Sequence, residues 1–269
     1  MLVETVCGRL FVEVQGSGPD VVLWHSLLCD GGMWAPQVAV LRDRYRVINV
    51  DAPGHGRSAP TTRPYTMDDC VTAAEQVMDA LGAGRAAWCG LSWGGMVAMR
   101  LALRAPERVA ALALMATSAR EERPAKKPGY RVLQGLVRVV GATRLVQAPI
   151  LPLFFTAETR RMRPDRVEAF SARLLRMDRT SLIHAADAVI FERDDISAEI
   201  GRIEAPALVV VGEEDRATPP AEAELIAEQI PGAELVRVPG AAHLVNLEQP
   251  ERVNAALLRF LDAQLARGA

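Results

Sequence analysis

Apolar positions along the chain follow two rhythms, short unbroken runs and longer stretches with a helical repeat, and the two alternate. The chain opens with β-rich runs at Leu2–Val6 and Arg9–Gln15, parted by Cys7-Gly8, which predicts a hairpin that Gly16-Ser17-Gly18-Pro19 brings to an end. Val21–Trp24 reads as a short strand, Trp34–Leu41 as a short helix, Arg46–Val50 as a strand and Met67–Leu81 as a helix. Thr66 is placed to cap that last helix, with Asp69 three residues on and Gly82 just past its end. Ala86–Leu91 and Val109–Met115 are almost wholly apolar, as strands buried on both faces of a parallel sheet are. Between them Trp93–Ala105 is apolar nearly all round, and Gly94, Ala98 and Ala102 form a stripe of small residues that lets a helix lie close to a sheet. Ala207–Val211 (strand), Ala221–Gln229 (helix), Glu234–Val238 (strand) and Glu251–Ala266 (helix) complete the series. Strands alternating with helices predict an α/β protein with a mostly parallel sheet.

The stretch from Ala119 to Ile200 breaks the alternation. It opens with the polar, proline-rich Arg120–Pro128 and continues as helices interrupted near Pro149, Pro152 and Pro164. It also has a charge of its own: residues 119–180 hold 14 Lys and Arg against 6 Asp and Glu, while the whole chain carries a net −2. An insertion of this size between two strands predicts a helical subdomain, with residues 1–118 and 201–269 forming the core and 119–200 a cap.

Composition narrows the function classes. Half of the 269 residues are hydrophobic and 24% are charged, which fits a globular chain and excludes a disordered one. A net charge near zero gives no general attraction to nucleic acid or to anionic membranes. The longest apolar run, Val109–Ala116, falls well short of the ~18 residues a membrane span needs, and MLVETVCGRL shows no basic start followed by an apolar stretch. These features predict a soluble, cytoplasmic protein. Cys7, Cys29, Cys70 and Cys89 are scattered without metal-ligand spacing, and three of them sit in or beside apolar segments, where they read as buried free thiols. No Walker loop, HExxH or EF-hand spacing appears, and no helix directly follows Gly16-Ser17-Gly18, so neither a metal nor a nucleotide cofactor is expected.

The sharpest local signal is Gly90-Leu91-Ser92-Trp93-Gly94, at the junction of a buried strand and a helix. A serine on such a turn projects its hydroxyl from the backbone. Residues two before and two after must be small, because strand and helix crowd there. The next backbone N–H, that of Trp93, lies at a helix N-terminus, where the dipole favours a developing oxyanion. Serine needs a base, and the base an orienting acid. His243 follows the strand Glu234–Val238, and the run Glu213-Glu214-Asp215 follows the strand Ala207–Val211. Both loops lie at carboxyl ends of strands, the same edge of a parallel sheet as Ser92. A Gly-rich turn with an idle serine is the bland alternative; the ordered presence of base and acid weighs against it.

In these features the chain resembles the α/β-hydrolase superfamily, over nearly its whole length outside the insertion. Asp51–Ser58 resembles that family's D-x-x-G-x-G-x-S turn, Gly212–Asp215 its acid loop and Gly240–His243 its G-x-x-H loop. The resemblance implies a fold of about eight strands with a helical cap. It also implies a triad of Ser92, Asp215 and His243, the G-x-x-D spacing selecting Asp215 over Glu213 and Glu214. Trp24-His25-Ser26-Leu27-Leu28 matches the oxyanion segment, which makes the backbone N–H of Leu27 the second oxyanion donor beside that of Trp93; Ser26 stands where glycine is usual. His25–Gln37 is most similar to 3-oxoadipate enol-lactonases and small carboxylesterases.

The resemblance implies a serine hydrolase that cleaves a small carboxylic ester or lactone through an acyl-enzyme, with the small-molecule substrate as partner and without nucleic acid or membrane. A C–C bond hydrolase, and a cofactor-free perhydrolase or haloperoxidase, would use the same triad; the latter ranks lower because its relatives tend to carry proline where Leu28 stands. A non-catalytic ligand receptor on this fold is the reading from another class, disfavoured by three intact triad positions. Aspartate nucleophiles mark haloalkane dehalogenases, and Ser92 argues against that chemistry. Thr117 and Ser118, after the sixth strand, leave no acid there. Asp194 and Asp195 match no acid loop. His25 is read as holding the oxyanion loop, His55 as bonding its own turn, and His184 as a packing residue that has the option of facing the pocket. Trp93 has two roles open to it, narrowing an acyl pocket or filling core. The arginines of the insertion (Arg160, Arg161, Arg163, Arg166, Arg173 and Arg176) read first as a solvated helix face; the sharper expectation puts some of them at the pocket entrance, attracting an anionic substrate.

Overall fold

The computed structural model describes residues 1–265. Its strands are β1 (Leu2–Thr5), β2 (Gly8–Gln15), β3 (Asp20–Trp24), β4 (Arg46–Val50), β5 (Ala86–Leu91), β6 (Val109–Met115), β7 (Ala207–Gly212) and β8 (Glu234–Val238). They form one sheet in the order β1-β2-β4-β3-β5-β6-β7-β8, antiparallel where β2 meets β1 and β4 and parallel from β4 through β8. The α-helices ahead of β6 are α1 (Ala35–Leu41), α2 (Met67–Ala80) and α3 (Trp93–Arg104). The expected hairpin, capped helix and alternating pattern are all present. Thr66 and Asp69 form a reciprocal capping box at the start of α2. A single 3₁₀ turn, Gly31–Trp34, replaces the first residue of the helix expected from Trp34.

Period-two alternation along the central strands builds two cores. Val22, Trp24, Ile48, Trp88, Leu112 and Val209 point to one face and pack under α2 and α3. Val21, Leu23, Val47, Cys89, Ala113 and Val210 point to the other, beneath α1 and the C-terminal helix. Each central strand is therefore buried on both sides, which is why its sequence reads as an unbroken apolar run. All four cysteines are buried within these layers.

Between β6 and β7 the chain forms α4 (Lys127–Val140), α5 (Arg144–Gln147), α6 (Leu151–Phe154), α7 (Ala157–Met162), α8 (Pro164–Leu174) and α9 (Arg179–Ala186). Pro152 and Pro164 fall in the first turns of α6 and α8, where a missing N–H costs nothing. A π-helical turn, Asp187–Phe191, closes the segment. After β7 come α10 (Pro220–Gln229), α11 (Val245–Glu248) and α12 (Pro250–Leu265). The helix expected to reach Ala266 is seen through Leu265, and Ala266 lies outside the described residues. No described helix is long and apolar enough to cross a membrane.

Candidate active site

The strand-to-helix turn between β5 and α3 is built by sterics. A Cβ at Gly90 would fall 2.2 Å from the Gly94 carbonyl carbon, and one at Gly94 would fall 2.0 Å from the Trp24 carbonyl oxygen. Only glycine allows strand, helix and β3 to approach so closely. The turn forces Ser92 to φ 54° and ψ −110°, an unusual conformation for a non-glycine residue. Three bonds hold it there: Ser92 N–H to Met115 O at 2.8 Å, Met96 N–H to Ser92 O at 3.0 Å, and the Thr117 hydroxyl to Ser92 O at 2.7 Å. The Ser92 hydroxyl itself bonds to no described residue.

His243 and Asp215 meet across the loops after β8 and β7. His243 Nδ1 lies 3.0 Å from Asp215 Oδ2, with both side chains almost fully buried. Asp215 Oδ1 also accepts from the N–H groups of Ala217 (2.8 Å) and Thr218 (3.0 Å), and its Oδ2 accepts from the Thr218 hydroxyl (2.9 Å). Asp215 thus meets the imidazole as an acceptor, which orients His243 with Nδ1–H toward Asp215 and leaves Nε2 without a bond to a described residue. The two loops lock together: Glu213 and Glu214 donate their N–H groups to Val238 O and Ala241 O, and their side chains point to solvent. Of the three acids in this run, Asp215 alone meets the histidine.

The oxyanion segment is equally constrained. His25 Nδ1 donates to Ser26 O (2.7 Å), and its Nε2 accepts from Ala52 N–H (2.8 Å), so the ring is neutral and both nitrogens are used. Burial lowers its pKa, the nearby Asp51 opposing the shift. His55 Nδ1 lies 2.9 Å from Pro53 O, and burial, with His25 adding to it, lowers its pKa to about 3. Asp51 accepts from the N–H groups of Gly31 (2.7 Å) and Arg57 (2.8 Å), tying the segment after β3 to the glycine turn after β4. Leu28 stands at φ 66°. Among the described residues, neither Leu27 N–H nor Trp93 N–H, the first of α3, donates a hydrogen bond.

Ser92, His243, Ser26, Leu27 and Leu28 line one cavity of about 620 Å³, roofed by side chains from the segment between β6 and β7. Leu133, Ile150 and Phe154 belong to that roof, and the Phe154 ring stands edge-on to His243 with centroids 5.1 Å apart. Trp93 is absent from the lining; its indole is buried against Trp24, His25, His55 and Tyr65, which makes it a core residue. His184 turns away from the cavity to Thr61, 2.8 Å from its hydroxyl. Asp194 pairs with Arg100, and Asp195 caps the Ser197 N–H, both remote from the histidine.

The placement of the arginines corrects the sharper expectation about the insertion. None of Arg160, Arg161, Arg163, Arg166, Arg173 and Arg176 lines this cavity. Arg163 pairs with Asp165, Arg166 donates to the carbonyls of Leu247 and Glu248, and Arg173 faces Asp30. Arg173 and Arg176 border a separate polar cleft of about 790 Å³ that does not include Ser92. α7 and α8 turn their charged faces outward because Phe170 and Leu174 occupy the inward one. The basic groups at the cavity are instead Lys126, Arg193 and Arg216, with Glu122 among them.

Two residues at the site escape a reading of motifs. Thr218, three positions after Asp215, bonds the carboxylate and sits 3.3 Å from His243 Nδ1; the D-x-x-T spacing is its only sequence trace. Glu248 Oε1 accepts from Thr156 N–H (2.8 Å) and Oε2 from Ala242 N–H (2.6 Å), so one buried carboxylate joins α7 to the loop bearing His243. Burial raises its pKa, with those N–H groups opposing the rise. Its only sequence trace is an acidic residue directly after Leu244-Val245-Asn246-Leu247.

The family described as alpha/beta hydrolase fold matches residues 19–250. The chain is 31% identical to a pimeloyl-[acyl-carrier protein] methyl ester esterase of Nitrosomonas europaea over 90% of this chain and 96% of that protein. It is 30% identical to 3-oxoadipate enol-lactonase 2 of Acinetobacter baylyi, over 90% of this chain and 88% of that protein. Among solved structures, a thermophilic esterase from Thermogutta terrifontis superposes with a TM-score of 0.91 at 32% identity, covering 98% of each chain. The chain belongs to the α/β-hydrolase fold family.

Proposed function

We propose that this α/β hydrolase cleaves a small carboxylic ester or lactone by acyl transfer through Ser92, with residues 119–200 acting as the cap over the site. The observation that carries the reading is one cavity lined by Ser92, Leu27 and a histidine bonded to a buried aspartate, with the N–H groups of Leu27 and of Trp93, the residue after Ser92, donating to no described residue. Esterase and lactonase relatives that match 90% of the chain support it.

In this reading His243 Nε2 takes the Ser92 proton as Oγ attacks the carbonyl carbon, and the C=O electron pair moves onto oxygen. The N–H groups of Leu27 and Trp93 receive that charge at the N-terminus of α3, where the helix dipole adds to them. Asp215 stabilises the imidazolium while keeping its own charge. The tetrahedral species collapses, the C–O bond to the alcohol breaks, and His243 returns the proton to the departing oxygen. Water repeats the sequence on the acyl-enzyme with His243 as base, releasing the acid and restoring Ser92. In a lactone, the alcohol stays tethered to the acid.

The test is p-nitrophenyl acetate turnover combined with labelling by an alkyl fluorophosphonate and peptide mapping. Hydrolysis with the label on Ser92 is expected. An enzyme that hydrolyses no ester and takes no label at Ser92 would return the chain to the class of ligand-binding relatives.

A further inference from the structure

The cavity has two unlike ends. Lys126, Glu122, Arg193 and Arg216 gather at one of them, and their contacts fix which it is. Lys126 Nζ donates to the carbonyls of Arg216 (3.3 Å) and Ala217 (3.2 Å), in the loop that carries Asp215. Glu122 lies 4.0 Å from Lys126 and 3.9 Å from the buried Arg193. Lys126 and Arg216 thus mark the end of His243 and its acid loop. At the other end, beyond Leu27 and Leu28, lies a chamber of about 70 Å³ that shares Leu27, Leu28, Tyr130, Leu133, Ile150 and Ile190 with the main cavity. Neither Ser92, His243 nor any charged side chain borders it. Its deeper walls are Val137, Val146, Leu174, Leu182 and Ala186, and its one amide, Gln134, is engaged with Ile183 O and Asp187.

The reaction gives the two ends different tasks. The departing alcohol must receive its proton from His243, so it lies toward the charged end. The carbonyl oxygen points to Leu27 N–H and Trp93 N–H, and the acyl chain leaves the carbonyl carbon on the side away from His243. We infer that the acyl arm runs past Leu27 and Leu28 and ends in this chamber, so that the substrate is an ester of an acid with an uncharged aliphatic tail. The inference rests on the hydrolase reading above. An apolar chamber of this size stays dry and has room for the end of a short alkyl chain. A carboxylate there would lose its hydration with no partner in return. The charged groups at the far end face the alcohol, where a polar leaving group keeps contact with water.

Two series of esters test this. For straight-chain p-nitrophenyl esters, kcat/KM rises roughly fourfold for each added methylene, the equivalent of ~0.8 kcal/mol, until the chamber is full, and then levels. Ala186→Leu fills the chamber and moves the levelling point to shorter acids; Val146→Ala enlarges it and moves the point to longer ones. p-Nitrophenyl hexanoate is turned over at least tenfold more efficiently than the p-nitrophenyl monoester of adipic acid, which ends in a carboxylate. Binding of methyl butyrate, hexanoate and octanoate to the Ser92→Ala protein, measured by calorimetry, tightens in the same order and separates this inference from the chemistry. Length-dependent binding that Ala186→Leu abolishes, in a protein that hydrolyses nothing, would leave the chamber assigned and the hydrolase reading overturned. Turnover with a flat length profile, or preference for the adipate monoester, or one profile shared by wild type, Ala186→Leu and Val146→Ala, overturns the chamber and leaves the hydrolase reading standing.

Discussion

The carboxyl edge of the sheet and the helical segment above it are built on opposite principles. At the edge, each side chain is determined by neighbours a few residues away or by the adjoining strand. Ser92 is held at φ 54° by glycines that admit no Cβ, His25 has both nitrogens bonded, and Asp215 receives N–H groups from its own loop. In the α4–α9 segment the fixing contacts are long-range: Thr156 N–H to Glu248, Arg166 to the carbonyls of Leu247 and Glu248, Lys126 to those of Arg216 and Ala217. Its outer surface leaves Val139 75% and Leu145 77% exposed. In the reading proposed above, chemistry falls to the locally specified edge and the shape of the substrate to the segment specified from afar.

The largest effect expected is at the edge, and it tests whether that assignment of chemistry is right. Ser92→Ala removes the nucleophile and lowers kcat by about 10⁴-fold or more, down to what oxyanion stabilisation and binding alone supply. The hydroxyl has no protein partner to lose, so unfolding free energy should change by less than about 0.5 kcal/mol. Near wild-type esterase turnover in a pure preparation would show that the edge does not hold the nucleophile.

Where the two regions join, Glu248→Ala leaves the buried N–H groups of Thr156 and Ala242 without their acceptor. Each such group costs roughly 1–3 kcal/mol, so unfolding free energy falls by several kcal/mol at most, less whatever is regained by no longer burying a charge. Ala242 precedes His243, and a loosened loop misplaces the base; kcat should drop by tens-fold with a smaller change in KM. Glu248→Gln, which keeps one acceptor, recovers part of the loss. If the Ala variant loses stability while kcat is unchanged, Glu248 only anchors α7, and the two regions are coupled less than the geometry implies.

The same contrast governs what could be read in advance. The sheet, the elbow and the three loops were legible because their causes are local: an apolar run, a glycine two residues either side of a serine, a loop following a strand. The choice of Asp215 over Glu213 and Glu214 came instead from the resemblance, through that family's G-x-x-D spacing. The number of helices after Ala119 was only partly legible, with prolines marking the starts of α6 and α8. Nothing local to Arg166 foretells that it reaches the carbonyl of Leu247, or that the arginines of α7 and α8 face away from the cavity. Trp93 was undecided for a related reason, since only packing against Trp24 and Tyr65 shows which way the indole turns.

Acid should attack the edge through its buried histidines. In the unfolded chain, His55 takes up a proton near pH ~6.5, whereas in the folded chain it stays neutral down to about 3. Between those values the unfolded state binds more protons, so the stability due to His55 is complete above pH ~6.5 and is lost progressively as pH falls. The loss is about 1.4 kcal/mol per pH unit, or about 2 kcal/mol from pH 6.5 to 5. His25, lowered in the same direction, adds to it. Urea unfolding at pH 7.5, 6.5 and 5 measures the slope, and His55→Asn should flatten it. A wild type equally stable at all three would mean that these rings are not held neutral.

The smallest effect expected is a near-absence, and it separates the surface of the helical segment from its inner wall. Arg160 and Arg161 are exposed, and neither forms an ion pair with a described residue, so both charges stand in solvent where an anion could be attracted. They do not line the cavity, and at physiological ionic strength a surface charge is screened within about 8 Å. Arg160→Gln/Arg161→Gln should therefore leave kcat/KM within about twofold of wild type for neutral and anionic esters alike, at low and at high salt. Arg216→Gln, at the charged end of the cavity, is the contrasting variant, and its effect should appear with esters whose alcohol carries a negative charge. A fall in kcat/KM for anionic esters in the double variant, erased by salt, would show that the outer arginines guide substrate from a distance. The helical segment would then select substrates by its field as well as by its walls.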